Sequence, residues 1–233
     1  MLKTIARPFY MSKYIPSASC VLWLPGEGDP YGSIITDRSG KRNNGTITGA
    51  TWTRLPSGLW GLDFDGADDL VSCGYTGIVA GITPTCMAWV IPDTGYGEAT
   101  PRIMSHNISA ENGGMGYAYI TAATGIPSVT WKTVLGNCTA VSSVAVSVGV
   151  PTLVGWDYDN DYAHIYVNGA LKGTSAQVTS TLLATGANIL WGCNQPTDRA
   201  YNGRIYWQRI ILSVLTAAQH AEVFNRERSL FGV

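Results

Sequence analysis

Trp156-Asp157-Tyr158-Asp159-Asn160-Asp161-Tyr162-Ala163-His164-Ile165-Tyr166-Val167-Asn168-Gly169 is the stretch whose pattern decides the fold. Asp159-Asn160-Asp161 is a polar turn between two runs that alternate apolar and polar, the pattern of a β-hairpin. Alternation sends Ile165 and Val167 to one face, and His164, Tyr166 and Asn168 to the other. Asn168-Gly169 marks a second turn, because both residues tolerate positive φ. Further on, Tyr201-Asn202-Gly203-Arg204-Ile205-Tyr206-Trp207-Gln208-Arg209-Ile210 supplies another long strand. A strand pair that turns twice on Asp, Asn and Gly belongs to an antiparallel sheet.

Composition agrees. At 233 residues the chain suits a single β-sandwich. Its 45% hydrophobic content, with eight Trp and twelve Tyr, provides for a large core. Twenty-seven Gly and only 13% charged residues suit many short strands and tight turns. A net charge of −1 without basic blocks argues against nucleic acid or an anionic membrane as partner. The five cysteines, Cys20, Cys73, Cys86, Cys138 and Cys193, have no zinc or redox spacing and read as buried free thiols.

Outward from the hairpin, strands are expected at 20–24, 46–53, 59–65, 85–91, 102–106, 115–121, 129–135, 140–148, 152–156, 189–193 and 204–212. Residues 92–101 read as a Gly- and Pro-rich loop. The only convincing helix follows Leu215: Thr216 is its N-cap and Gln219, three residues on, completes a capping box. Ala217, Ala221 and Phe224 share one helical face. Residues 1–19 mix Phe9, Tyr10 and Tyr14 with Lys3, Arg7 and Lys13, while Pro8 and Pro16 forbid a regular element across them. They read as an extended assembly arm, with 20–233 as the folded domain. Neither a secretory signal nor a membrane-spanning run is visible.

Three further segments precede the hairpin. They are Asp37-Arg38-Ser39-Gly40 with Asn43-Asn44-Gly45-Thr46, then Leu62-Asp63-Phe64-Asp65-Gly66-Ala67-Asp68-Asp69-Leu70-Val71, then Met87-Ala88-Trp89-Val90. In this order, with Tyr166-Val167-Asn168-Gly169 and Asn202-Gly203-Arg204-Ile205, they resemble the laminin-G-like members of the concanavalin A-like jelly-roll superfamily. The resemblance implies an all-β jelly-roll sandwich of two antiparallel sheets with a short C-terminal helix. Such a fold hosts lectins, glycanases, receptor-binding modules and virion proteins, so function needs its own argument.

Superfamily glycanases set two Glu on one strand, one as nucleophile and one as acid. Here Glu27, Glu98, Glu111, Glu222 and Glu227 are the only glutamates and none is paired on a strand. Asp63 and Asp65 have the spacing but abut a glycine turn, where Asp side chains commonly cap the backbone. His106, His164 and His220 accompany no nucleophile elbow. Relatives carry an acid beside Glu27 and another at the place of Tyr206. This chain has Gly26 and Gly28 around Glu27, so no metal site or cofactor is expected beyond weak calcium. Binding is left, with Tyr96, Tyr117, Tyr119 and Trp131 as candidate contacts to glycan or protein.

These features together point to a non-catalytic surface module. A decoration, fibre or other structural protein of a bacteriophage-type virion fits best, contacting other virion proteins, copies of itself or glycans. It would reside on a virion or extracellular surface. A free-standing carbohydrate-binding lectin and a degenerate glycanase are the alternatives. Without a paired Glu, no reducing sugar is expected from β-glucans, xylans or galactans. Release that vanished in Asp63→Asn or Asp65→Asn would overturn that expectation.

Overall fold

The computed structural model describes residues 19–27, 30–75, 81–106, 116–183, 187–194 and 198–233, with the side chains of 95–97 left aside. Two eight-stranded antiparallel sheets face each other. The first contains β1 (Cys20–Leu24), β4 (Thr51–Arg54), β5 (Trp60–Asp65), β7 (Thr85–Gly97), β12 (Thr152–Tyr158), β13 (Ala163–Val167), β14 (Ala170–Thr174) and β16 (Tyr201–Ile211). Their order is β14-β13-β12-β7-β16-β5-β4, with β1 also paired to β16. The second has the order β11-β10-β9-β8-β15-β6-β3-β2. Its members are β2 (Ile34–Ile35), β3 (Gly45–Thr48), β6 (Leu70–Cys73), β8 (Arg102–His106), β9 (Gly116–Thr121), β10 (Ile126–Thr133), β11 (Gly136–Val141) and β15 (Ile189–Trp191).

The hairpin forms as its sequence predicts. Asp157 pairs with His164 and Trp156 with Ile165, while Asp159 Oδ1 accepts the backbone N–H groups of Asp161 and Tyr162 in the turn. Asn168 (φ 51°) and Gly169 (φ 76°) make the second turn into β14. Ile165 and Val167 enter the core between the sheets, with Phe64, Val90, Trp131, Trp156 and Trp191.

Alternation continues across β7. Cys86, Ala88 and Val90 face the second sheet, while Met87, Trp89 and Ile91 enter a separate apolar layer on the other side. That layer is closed by helix α1 (Ala217–Phe231). Its Thr216 capping box with Gln219 is present as expected. All five cysteines are buried free thiols; desolvation raises Cys20 to about 11 and Cys193 to about 12.

Several boundaries differ from the sequence expectation, each for a local reason. Residues 46–53 are two strands in different sheets, because the chain turns at Gly49 (φ 76°). A Cβ on Gly49 would meet Asp69 Oδ1 at 1.9 Å. Pro92 lies inside β7 rather than opening a loop, since a bulge opposite it at Tyr201/Gly203 interrupts the ladder. The strand expected at 140–148 is β11, which ends at Val141. Beyond it the Ser142 hydroxyl binds both backbone groups of Val144, turning the chain. On α1 the buried face is His220, Val223, Glu227 and Phe231, with Ala217 exposed and Ala221 and Phe224 half-buried.

The helix is held by a polar anchor inside its apolar layer. Glu227 Oε1 accepts from Arg209 Nη1 at 2.8 Å, and Oε2 from Arg209 Nη2 at 3.1 Å and Trp89 Nε1 at 2.8 Å. The Trp89 ring stacks on Phe231 at 4.0 Å and on Phe224 at 5.8 Å. Removing one partner leaves a buried charge uncompensated. Glu227→Ala is therefore expected to lower unfolding free energy in urea by about 3–5 kcal/mol. Replacing both ions, Arg209→Met with Glu227→Leu, should recover much of the loss.

Candidate functional site

With α1 across the first sheet, the outer face of the second sheet is the sandwich surface that carries no helix among the described residues. Residues alternating outward there are Tyr117, Tyr119 and Thr121 on β9, opposite Thr130, Ser128 and Ile126 on β10. Asn137, Thr139 and Val141 of β11 continue the row. Inward neighbours Ala118 and Ile120 are fully buried. The period of two that makes β9 half apolar thus places both tyrosines on the open side.

Tyr117 and Tyr119 lie 5.8 Å apart, ring to ring. Arg102 of β8, the cross-strand neighbour of Tyr119, packs against both rings, its guanidinium carbon 3.8 Å from the Tyr117 ring centre and 5.0 Å from that of Tyr119. Arg102 is only 2% exposed, and its Nε has no hydrogen-bond partner. Burial, then the neighbouring charge of Arg199, brings its pKa down to about 10, so it is protonated at neutral pH. A strap from the loop after β15 borders the group: Arg102 N–H donates to Arg199 O at 2.9 Å. The Ser105 hydroxyl donates to Cys193 O at 2.8 Å. Within the strap, Asn194 Nδ2 donates to Asp198 Oδ2 at 2.7 Å, and Arg199 Nε lies 3.7 Å from Asp198 Oδ1.

Other expected site residues fall elsewhere. Trp131 is not a contact residue: it is 0% exposed and its Nε1 donates to Asp157 O at 2.9 Å across the core. The period-two pattern that sends Thr130 to the outer side of the sheet turns its neighbour Trp131 inward. The Tyr96 side chain and the arm with Phe9, Tyr10 and Tyr14 lie outside the described residues. Asp63 is half-buried beside Arg204, which pairs with Asp93 at 3.2 Å; desolvation and then Asp93 raise its pKa. Asp65 is exposed and caps Ala67 N–H at 2.8 Å. Carboxylate oxygens of Asp65, Asp68 and Asp69 lie within 4.8 Å of one another. Asp69 among them caps Asp65 N–H.

A second polar group escaped the sequence reading. Asp157, fully buried, accepts from His164 Nδ1 at 2.7 Å, and its other oxygen lies 3.4 Å from His220 Nε2 on α1. The His220 ring stacks on Tyr166 at 3.6 Å. Hairpin register could have revealed Asp157 opposite His164; nothing local brings His220 to them.

The sequence model of the concanavalin A-like lectin/glucanases superfamily matches residues 65–219. The chain belongs to this superfamily. No curated protein matches the sequence significantly. Among solved structures, the binding domain of botulinum neurotoxin serotype G is similar, with TM-score 0.69, 14% identity and coverage of 90% of this chain and 51% of that one. The binding domain of Paraclostridial Mosquitocidal Protein 1 gives TM-score 0.72 at 14% identity, covering 90% and 52%. Domain 4 of AbnA, a GH43 extracellular arabinanase from Geobacillus stearothermophilus in complex with arabinotriose, gives 0.64 at 16%, covering 88% and 98%. The chain thus spans about half of either toxin binding domain and nearly all of the arabinanase domain. At these identities the likeness is one of fold. No helix among the described residues is long and apolar enough to cross a membrane.

Hydrogen bonding to Asp157 raises the pKa of His164, against the opposing effect of burial. A folded value above the unfolded one, near 6.5, means that the contribution is complete below that pH. It is lost as pH rises through the folded value. The melting-temperature gap between wild type and His164→Ala should therefore be larger at pH 5.5 than at pH 8.5. An equal gap at both would deny the coupling.

Proposed function

We propose that this superfamily member is a non-catalytic binding module whose contact surface is the outer face of the second sheet around Tyr117 and Tyr119. The observation that carries this reading is the asymmetry of the sandwich. One face is sealed by α1, while the other presents half-exposed aromatic rings among threonine hydroxyls. Aromatic rings with adjacent hydroxyls suit the mixed apolar and polar faces of a sugar, or a protein contact. Support also comes from the fold neighbours, which include toxin binding domains and an arabinanase domain solved with arabinotriose. Glutamate placement agrees with a role other than hydrolysis, since Glu227 serves as a buried anchor and Glu222 pairs with Arg226 on the helix surface.

The finer reading is a surface-exposed decoration or fibre component of a bacteriophage-type virion, docked by residues 1–19 to its assembly. Its support is the arm's pairing of aromatic and basic side chains with a proline-broken backbone. Calcium, where bound, is weak in this reading.

The test is a glycan array and pull-down with wild type, Tyr119→Ala and a chain beginning at Ala18. Tyr119→Ala should weaken any ligand about tenfold, with its melting temperature lowered by only a few degrees. The shortened chain should melt as wild type does but lose co-assembly. Binding indifferent to Tyr119 would move the contact surface elsewhere, and assembly indifferent to residues 1–17 would deny the arm its role.

A further inference from the structure

Val134 and Leu135 are 64% and 74% exposed, side by side at the tip of the β10–β11 hairpin. Scattered exposed apolar residues need no explanation. A two-residue hairpin turn, however, is normally given to Gly, Asn or Asp. Here the flanking residues build the turn. Thr133 pairs with Gly136, and its hydroxyl donates to Gly136 O at 2.8 Å and accepts from Leu135 N–H at 3.3 Å. Nothing in that geometry calls for valine and leucine, so the fold does not account for apolar side chains at the tip.

An acidic turn is tied to this tip by residues 178–182. Val134 N–H donates to Thr181 O at 3.1 Å, Ser180 N–H to Asn160 O at 2.9 Å, and Val178 N–H to Asp161 O at 2.8 Å. Asp159 and Asp161 are half-buried there, and among the described residues neither pairs with a lysine or arginine. Lys132, at the base of the tip, is buried. Residues 1–18 precede β1 at the same end of the sandwich. Cys20 pairs with Ile211, Ile211 with Thr85 and Thr85 with Asp157, one row across the first sheet that finishes beside the acidic turn. Three strand spacings, about 15 Å, separate β1 from β12, whereas residues 1–18 can span up to about 60 Å when extended. Their Lys3, Arg7 and Lys13 complement the acidic turn, and their Phe9, Tyr10 and Tyr14 the apolar tip.

We propose that residues 1–18 of one copy lie across the tip at Val134 and Leu135 and the neighbouring acidic turn of a second copy, in a reciprocal exchange. This rests on the assembly role proposed above for residues 1–19 and names the surface that receives them. Root and receiver share one end of the sandwich. Two copies meeting end to end about a two-fold axis therefore set each arm beside the other's tip, and the contact closes at a dimer. Two acidic ends would repel each other without the basic arms between them. Reciprocal exchange also buries two arms and two tips. Val134 and Leu135 alone fall short of the about 800 Å² per partner that a stable interface needs.

Sedimentation velocity of the full chain decides it. Wild type should be a dimer at micromolar concentration. Leu135→Asp should weaken dimerisation about tenfold or more, and so should an arm variant carrying Phe9→Ser, Tyr10→Ser and Tyr14→Ser. Both should melt near the wild-type temperature; if Leu135→Asp does not fold, Val134→Ser takes its place. Mixed together, the two variants should form a heterodimer tighter than either variant alone, because a sound arm then meets a sound tip. Absence of that heterodimer would overturn the exchange. A monomeric wild type would also overturn it, and would leave the assembly role of residues 1–19 to the pull-down above. A dimer lost in the arm variant but indifferent to Leu135→Asp would keep that role and overturn the tip as receiver. A dimer indifferent to both variants would place self-association on another surface. Leu135-dependent flotation of a monomeric wild type with phosphatidylcholine vesicles would assign the tip to a lipid surface instead.

Discussion

The Arg209–Glu227 ion pair, buried between the first sheet and the terminal helix, is the contact on which the asymmetry of the molecule depends. A two-sheet sandwich needs apolar residues only on its inner faces. This chain places Met87, Trp89, Ile91 and Trp207 on the outer side of the first sheet as well. Such a surface must be covered, and α1 covers it. The ion pair fixes which helix face turns inward, because Glu227 cannot remain buried away from Arg209. Trp89, stacked between two phenylalanines and bonded to the same carboxylate, ties the apolar and polar parts of the contact together.

Motif residues that signal the superfamily turn out to be fasteners of the fold. Asp37 accepts the backbone N–H groups of Trp23, Ser39 and Asn43, stapling β1 to the loop after β2. Asn168 accepts from Leu153 N–H while its own backbone makes the turn. Gly203, at φ 132°, lies so close to β7 that a Cβ would meet Ile91 O at 2.4 Å. Each of these three satisfies backbone groups or permits a close approach. That is why the ordered set identifies a jelly roll and is silent about ligands.

The proposed contact surface lies instead where the motifs are not. With one sheet face consumed by the helix, Tyr117 and Tyr119 of β9 and Thr139 of β11 are accessible on the outer side of the other, the two rings lying against the buried Arg102 of β8.

The sequence alone determined the antiparallel class, the two Asp/Asn turns and the helix cap at Thr216. Each follows from a local rule, either a period of two or a side chain bonding its own neighbourhood. It determined less well where strands end, because Gly49, Pro92 and Ser142 act through contacts with distant strands or through single turns. Only the tertiary structure decided that Trp131 is core, that Arg102 is buried between two tyrosines, and that Asp157 meets both His164 and His220. These juxtapositions join residues from strands and a helix far apart in the chain. Periodicity reports which side of its own strand a residue takes, and sheet order decides what it meets there.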